Sequence, residues 1–286
     1  MTCIYHSRDL DGFCSAAIVL KKYPDCQMIG YDYGQAFPEI PMGEELIMVD
    51  VSLPMDRMVE LGHRCSRFTW IDHHISAIRE YEALPQWDQA IIRSVLDSTK
   101  AACEGTWTYL FPEDLMPEAV LLLGEYDSWR NQNQERGGQV VLPFQYGMRQ
   151  MCNGVTSFPM VMLEPEVEFN PMLGQAIGRG RTILTYQRQQ DEAACKSAAF
   201  EFTFEGYRAI CLNGGGFNSN AFASVYDEAK HDIMMPFRYN GKFWTFSLYT
   251  TKDIDCSEIS KKYGGGGHKK AAGFQVEDFN SVFKKK

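Results

Sequence analysis

No apolar run in the sequence approaches the roughly 20 residues that a membrane-spanning helix needs. The opening residues, Met1-Thr2-Cys3-Ile4-Tyr5-His6, also lack the pattern of a signal peptide. The nine cysteines are odd in number, scattered, and never spaced C-x-x-C. That argues against a disulfide frame and a zinc-thiolate site, and for reduced thiols in the cytoplasm. Positive charge is short as well: 28 Lys and Arg against 37 Asp and Glu leave a net charge of −9. Long nucleic acid is held by basic tracks that neutralise many phosphates. An acidic chain with only local basic clusters suits small nucleotides or very short oligomers instead, and no long duplex. Carboxylate clusters that bind cations would account for part of the acidity. Internal repeats and low-complexity segments are absent.

What is present is an alternation. Candidate strands at Thr2–Tyr5, Gln27–Tyr31, Leu46–Val49 and Phe68–Ile71 punctuate the first ~130 residues, and 12–22 carries Phe13, Ala16, Ala17 and Leu20 at helical spacing. Strand-helix alternation predicts an α/β fold, a parallel sheet with helices on both faces. Residues 174–200 turn polar and helical, and we read 181–198 as a connecting helix between a first domain at 1–180 and a second at 199–286. The second domain carries hairpin patterns, with Glu201–Phe204 and Tyr207–Leu212 around Glu205-Gly206, and Phe237–Tyr239 and Phe243–Leu248 around Asn240-Gly241. It reads as a smaller mixed α/β unit. The polar stretch Asn131–Val141, with Gly137-Gly138, reads as a mobile surface loop.

The acids fall at strand ends. His6 follows the first strand, Asp9 and Asp11 lie in the turn before the first helix, Asp50 ends the third strand, and Asp72-His73-His74 ends the fourth. Each alone has an ordinary reading: Asp11-Gly12 as a turn, Asp50 as a helix cap, His73-His74 as a chance pair. In a parallel sheet, however, all strands share one carboxyl-end edge, so these residues converge on one crevice. Carboxylates and imidazoles gathered there call for divalent cations, and their oxygen and nitrogen donors suit manganese, iron or magnesium.

At these residues the sequence resembles the DHH phosphoesterases, named for the Asp-His-His tripeptide. His6-Ser7-Arg8-Asp9-Leu10-Asp11-Gly12 is similar to the first motif of that family, Val49-Asp50-Val51-Ser52 to the second, Ile71-Asp72-His73-His74 to the third and Gly124-Glu125-Tyr126-Asp127-Ser128-Trp129 to the fourth. Tyr263–Phe274, with Gly264-Gly265-Gly266-Gly267-His268-Lys269, resembles the signature of the associated DHHA1 domain. The resemblance implies a metal-dependent catalytic domain, a substrate-binding DHHA1 domain, and a site with two Mn2+ (Mg2+ or another divalent ion being an alternative). His6, Asp9 and Asp50 would hold one metal, and Asp11, Asp50, His73 and Asp127 the other, with Asp50 bridging. His74 would face a substrate phosphate oxygen while Asp72 orients its neighbours. Two such ions activate a shared water for in-line attack on phosphorus. The first motif departs from many relatives in the His6–Asp9 spacing and in Arg8 between them.

The four glycines at 264–267 follow a candidate helix at Ser257–Tyr263. One glycine serves a helix end; the others suit either a flexible turn or a chain whose amides approach an anion. His268 and Lys269 would add charge. Tyr263 and Phe274 suit base stacking or the core, with the core favoured for Phe274. Asn213–Asn220 suits ligand contact or a plain loop. Where relatives carry a phosphate-clamping arginine, this chain has Tyr249, which can stack and hydrogen-bond but cannot neutralise charge. The expected enzyme is thus a manganese-dependent phosphodiesterase, exonuclease-like, acting on short oligonucleotides or on linear or cyclic dinucleotides. The alternatives are a phosphomonoesterase or phosphoanhydride hydrolase, and a nucleotide-binding sensor without catalysis. A small nucleotide is the expected partner and no membrane is; a homodimer is compatible with the sequence.

Overall fold

Along its first part the chain forms β1 (Thr2–His6), α1 (Leu10–Lys22), β2 (Gln27–Tyr31), β3 (Glu45–Val49), α2 (Met55–Arg64), β4 (Arg67–Asp72), α3 (Ile75–Glu82), the single turn α4 (Gln86–Gln89) and β5 (Arg93–Leu96). Helices α5 (Ala102–Leu110), α6 (Glu118–Asp127) and α7 (Leu142–Met151) follow. These elements come from a computed structural model that describes residues 1–130, 135–164 and 170–283. Two units emerge, Met1–Leu184 and Thr185–Lys286.

Successive side chains of a strand point to opposite faces, and here both sets are apolar. Cys3, Tyr5, Ile47, Val49 and Ile71 share one core with Phe13 of α1, Trp107 of α5, Leu123 of α6 and Phe144 of α7. Ile4, Leu46, Met48, Phe68 and Trp70 share another with Met58 and Leu61 of α2 and Tyr81 of α3. Burying each such large side chain stabilises by about 1.5–3 kcal/mol relative to exposing it, so the sheet holds only if helices cover both faces. All its pairings are parallel, in the order β2-β1-β3-β4-β5. The chain therefore runs outward from β1 in both directions, and a crevice opens beyond the carboxyl ends of β1 and β3, where ligands of such sheets bind.

The expected surface loop at 131–141 is corrected in part. Residues 131–134 lie outside the described residues, but Gly137–Val141 forms a π-helical turn running into α7. Val141 and Phe144 are buried in the first core; that burial outweighs the low helix propensity of Gly137-Gly138.

The helix α8 (Pro171–Ala198) is longer than the sequence pattern marks, and the division between the units falls within it. The second unit contains β6 (Phe200–Phe204), β7 (Tyr207–Asn213), β8 (Ile233–Tyr239), β9 (Trp244–Tyr249), α9 (Cys256–Lys261), β10 (Gly266–Gly267) and β11 (Ala271–Val276). They form one mixed sheet, ordered β10-β11-β9-β8-β7-β6, in which only β7 and β8 run parallel. Both hairpins read from the sequence are present, β6-β7 and β8-β9. One face packs Phe237, Phe246, Leu248 and Phe274 against Ile259 of α9; the other packs Ile210, Leu212 and Met234 against Cys195 and Phe222. All nine cysteines are free. Among the described residues no helix is long and apolar enough to cross a membrane.

Candidate metal centre

Gly12 explains how the first motif closes. A Cβ there would overlap the carbonyl of His6, so only glycine lets α1 begin directly against the end of β1. Asp9 caps that helix, its Oδ1 accepting from the Gly12 amide at 3.0 Å. Its other oxygen, Oδ2, turns to His6 Nδ1 at 2.8 Å. The same imidazole nitrogen lies 3.4 Å from Asp50 Oδ2.

Asp50 reaches this point through a backbone turned to φ 59°, a region that non-glycine residues rarely occupy outside strained or functional positions. Its amide donates to the Ile71 carbonyl at 2.9 Å, which fixes the turn at the end of β3. From there Asp50 Oδ1 faces His73 Nε2 at 3.4 Å. His73 Nε2 also lies 3.6 Å from Asp11 Oδ2 and 3.2 Å from Asp127 Oδ2, at the end of α6.

Asp11 is seated from afar. Its Oδ1 accepts from the Cys103 amide at 2.7 Å and its Oδ2 from the Ala102 amide at 2.9 Å. These are free amides of the first turn of α5, where the helix dipole favours negative charge. Nothing in the local sequence around Asp11 signals this. Asp72 stands behind the cluster: Oδ1 accepts from the amides of His73 and His74 and faces His74 Nδ1, while Oδ2 accepts from the buried Trp70 indole at 3.2 Å.

The sequence therefore names eight residues that the structure gathers at one sheet edge. Seven fall into three overlapping sets with metal-ligand spacing: His6, Asp9 and Asp50; Asp11, His73 and Asp127; and Asp50, His73 and His74. Asp72 stands apart, as a hydrogen-bond partner of its neighbours. Sequence reasoning missed Asp32, just past β2, whose Oδ1 lies 3.7 Å from His6 Nε2 and whose Oδ2 pairs with Arg8 at 3.1 Å. Its place at a strand end was the available signal. Also missed was Glu104, a buried residue bonded to Arg130 and to the Ala101 amide at the start of α5.

The electrostatics are those of a buried cluster of like charges, which divalent cations would neutralise. Burial pushes the Asp50 carboxyl up to about 8, against the neighbouring His6 imidazole that lowers it, and the nearby Asp9 and Asp127 add to the rise. Burial likewise raises Asp11 well above the carboxylate range, with repulsion from Asp50 and Asp127 behind it. Burial pulls His6 down, but Asp50 and Asp9 outweigh it and carry the imidazole up to about 10. Two buried atoms, His6 Nδ1 and Asp50 Oδ2, have no partner that meets hydrogen-bond geometry. Orphaned buried polar atoms are costly, and these two belong to one set of potential ligands. A divalent cation accepting both would satisfy them, so the donor set fits the metal.

In the second unit the expected substrate residues look different. Gly264 is left-handed at φ +74° and ends α9. A Cβ on Gly265 would overlap the Gly273 carbonyl, and one on Gly267 would lie 2.6 Å from Ala272 Cα. These three glycines thus have packing or backbone reasons; of the four, Gly266 alone has both open space where a Cβ would stand and no left-handed φ. His268 is exposed in the β10-β11 turn, and Lys269 pairs with Asp253 at 2.6 Å. Tyr263 stacks on the buried Phe274 at 4.5 Å, and Tyr249 is half-buried against the Ile210–Met234 cluster.

Comparison with known proteins identifies the fold. No family model matches the sequence. A DHH domain from a member of a family of ribosomal proteins superposes with a TM-score of 0.55 over 96% of this chain and 82% of its own, at 13% identity. The chain has a DHH-type fold. The pGpG-specific phosphodiesterase PggH of Vibrio cholerae shares this DHH-type architecture, with a TM-score of 0.53 over 98% of this chain and 94% of its own, again at 13% identity. An uncharacterized protein of Acanthamoeba polyphaga mimivirus is 23% identical over 94% of this chain. The chain spans 66% of that relative's length.

Proposed function

We propose that this chain is a divalent-metal-dependent phosphoesterase that hydrolyses short nucleotides, with a linear dinucleotide as the leading substrate. The observation that carries this reading is the sharing of ligands: two sets of three potential ligands meet around Asp50 and His73 at one sheet edge. A single structural cation would need only one set. His6, Asp9 and Asp50 would hold one ion, and Asp11, Asp50, His73 and Asp127 the other. Bound divalent cations supply Lewis-acid charge and an activated water at neutral pH. The protein's own residues do the rest. Asp11, held by two α5 amides, and Asp50, held by its turned backbone, keep their carboxylates in place without ligand. His74, whose pKa burial lowers but Asp72 raises to about 9, stays protonated and offers Nε2 as a cationic donor to a phosphate oxygen. Asp72 holds Nδ1–H and so fixes the ring. The neighbour PggH is described as acting on a dinucleotide, which supports that substrate class here. Manganese is the metal we expect, with the second unit contributing substrate recognition.

A panel of dinucleotides, cyclic dinucleotides, a nucleoside 3′,5′-bisphosphate and pyrophosphate, each incubated with Mn2+ and resolved by mass, tests the reading. Cleavage of a dinucleotide to mononucleotides is expected. Turnover confined to the bisphosphate or pyrophosphate would replace it with a monoesterase or anhydride hydrolase, and binding without turnover would make the chain a sensor.

A further inference from the structure

In the second unit, the sheet face opposite α9 carries a polar opening. Along β9, Trp244, Phe246 and Leu248 turn to the aromatic core, so Thr245, Ser247 and Tyr249 face the other way. Gly266 pairs with Gly273, Gly273 with Ser247, and by the same register Pro236 lies on the other side of Ser247. This row makes a low floor across four strands. At one end Tyr249 lies on its apolar cluster. At the other stands Arg238, paired in register with Thr245.

Arg238 is exposed and forms no ion pair among the described residues. Elsewhere in the second unit Lys252 and Arg208 pair with Asp232, Lys262 with Glu205 and Lys269 with Asp253. The loop after β7 closes on its guanidinium. The Gly214 amide is tied to the Phe237 carbonyl at 2.9 Å, and a Cβ on Gly215 would sit 3.6 Å from Arg238 Nη1. Gly216 adopts φ +84°, which bends the loop so that Phe217 returns to the opening. The result is a cavity of about 220 Å³ lined by Gly214, Gly216, Phe217, Arg238, Thr245 and Ser247, with no carboxylate in its wall. An unneutralised guanidinium beside two hydroxyls and a glycine loop is donor-rich; an aromatic edge next to it suits the organic part of a ligand. Arginine's planar fork matches phosphate oxygens two at a time.

We propose that Arg238, Thr245, Ser247 and the 214–217 loop form a subsite for the phosphate of a nucleotide, with Phe217 against the attached nucleoside. The choice of a nucleotide rests on the hydrolase reading above; the donor geometry does not. Tyr249 cannot neutralise a phosphate, and Arg238 supplies that cation from the far end of the same face.

The test is equilibrium binding of 5′-AMP and adenosine to the full chain by calorimetry, with chelator present so that neither metal nor turnover contributes. Wild type is expected to bind 5′-AMP at least tenfold more tightly than adenosine. Arg238→Gln should lose about 10- to 100-fold in 5′-AMP affinity, as expected for removing a charged hydrogen bond. It should keep its adenosine affinity and melting temperature. Arg238→Lys should recover part of the loss. Equal wild-type affinity for the two ligands, no binding of either, or 5′-AMP affinity in Arg238→Gln within twofold of wild type would each overturn the subsite. A failure here leaves Mn2+-dependent hydrolysis untouched, and an absence of hydrolysis leaves this measurement valid, so the two readings fail separately.

Discussion

Asp72 Oδ1 lies 2.7 Å from His74 Nδ1, and in the proposed mechanism this contact separates the residue that orients from the one that would touch substrate. Asp72 has no place in the three sets of potential metal ligands, yet it is buried and its pKa is lowered: burial would raise it, but the His74 imidazole and the two backbone amides more than offset that. Replacing it with Asn keeps the shape and removes the charge that holds the imidazolium. Asp72→Asn should therefore reduce kcat for a dinucleotide about 10- to 100-fold, in line with the loss of other groups that orient a site. The number of metal ions bound, read by calorimetry, should stay the same. A variant that loses a metal ion would show Asp72 to be a ligand.

Asp50 stands in both of the proposed ligand sets. Asp50→Asn keeps the side chain's size, and removing a buried carboxylate charge from a cluster of acids does not weaken the metal-free fold. In chelator its melting temperature should match or exceed that of wild type. With Mn2+, wild type should gain melting temperature, because a ligand that binds only the folded state stabilises it, while the variant gains little and loses activity by several orders of magnitude. A variant within about tenfold of wild-type activity, a barrier difference of only ~1.4 kcal/mol, would remove Asp50 from its bridging role.

Glu104 tests whether the α5–α6 packing holds the site together. It is buried, bonds Arg130 past the end of α6 and the Ala101 amide at the start of α5, and lies against Gly124. Asp11 is seated on the very next amides, and Asp127 ends α6. Glu104→Ala should cost about 2–3 kcal/mol in denaturant unfolding. That is less than breaking a wholly buried pair, because Arg130 is about one-third exposed. Metal affinity should fall with it. Unchanged metal affinity in the folded variant would mean that Asp11 and Asp127 are positioned independently of this pair.

How much of this was legible in the sequence depends on the distance over which each feature acts. Strands β1 to β4 could be read because their residues form short, largely apolar runs; β5, short and half-buried at one edge of the sheet, carried no such mark. Seven of the eight candidate site residues were legible because they stand at strand ends or in the turn after β1, and a shared sheet edge turns sequence position into spatial position; Asp127, at the end of α6, was read only through the resemblance of residues 124–129 to a family motif. The seat of Asp11 on the amides of Ala102 and Cys103 was not: it joins residues 91 and 92 positions apart, and backbone amides leave no trace in side-chain identity. The left-handed turn at Asp50 was hidden because aspartate usually sits elsewhere in φ,ψ space. Gly137-Gly138 misled because propensity is local, whereas the burial of Val141 and Phe144 that keeps this stretch helical is not.

The glycine run gives the sharpest division between packing and recognition, because adjacent residues there have opposite reasons to be glycine. At Gly265 a Cβ would overlap the Gly273 carbonyl and press on Phe274, which is buried in the aromatic core. Backbone cannot yield as a flexible side chain can, so Gly265→Ala must push β10 from β11 and should cost about 1–3 kcal/mol, as overpacking does. At Gly266 the Cβ direction is open and the backbone has no left-handed φ. Gly266→Ala should therefore fold with an unchanged melting temperature, and any effect it has must come from what occupies that space in the complex. If the floor running from Gly266 through Gly273 to Ser247 receives a nucleotide, the added methyl group should raise KM for a dinucleotide about tenfold and leave kcat nearly the same. Hydrolysis of a small activated phosphodiester, which needs no such floor, should not change. An unaltered dinucleotide KM in a stably folded Gly266→Ala protein would mean that all four glycines serve the fold alone, and that the nucleotide is recognised elsewhere.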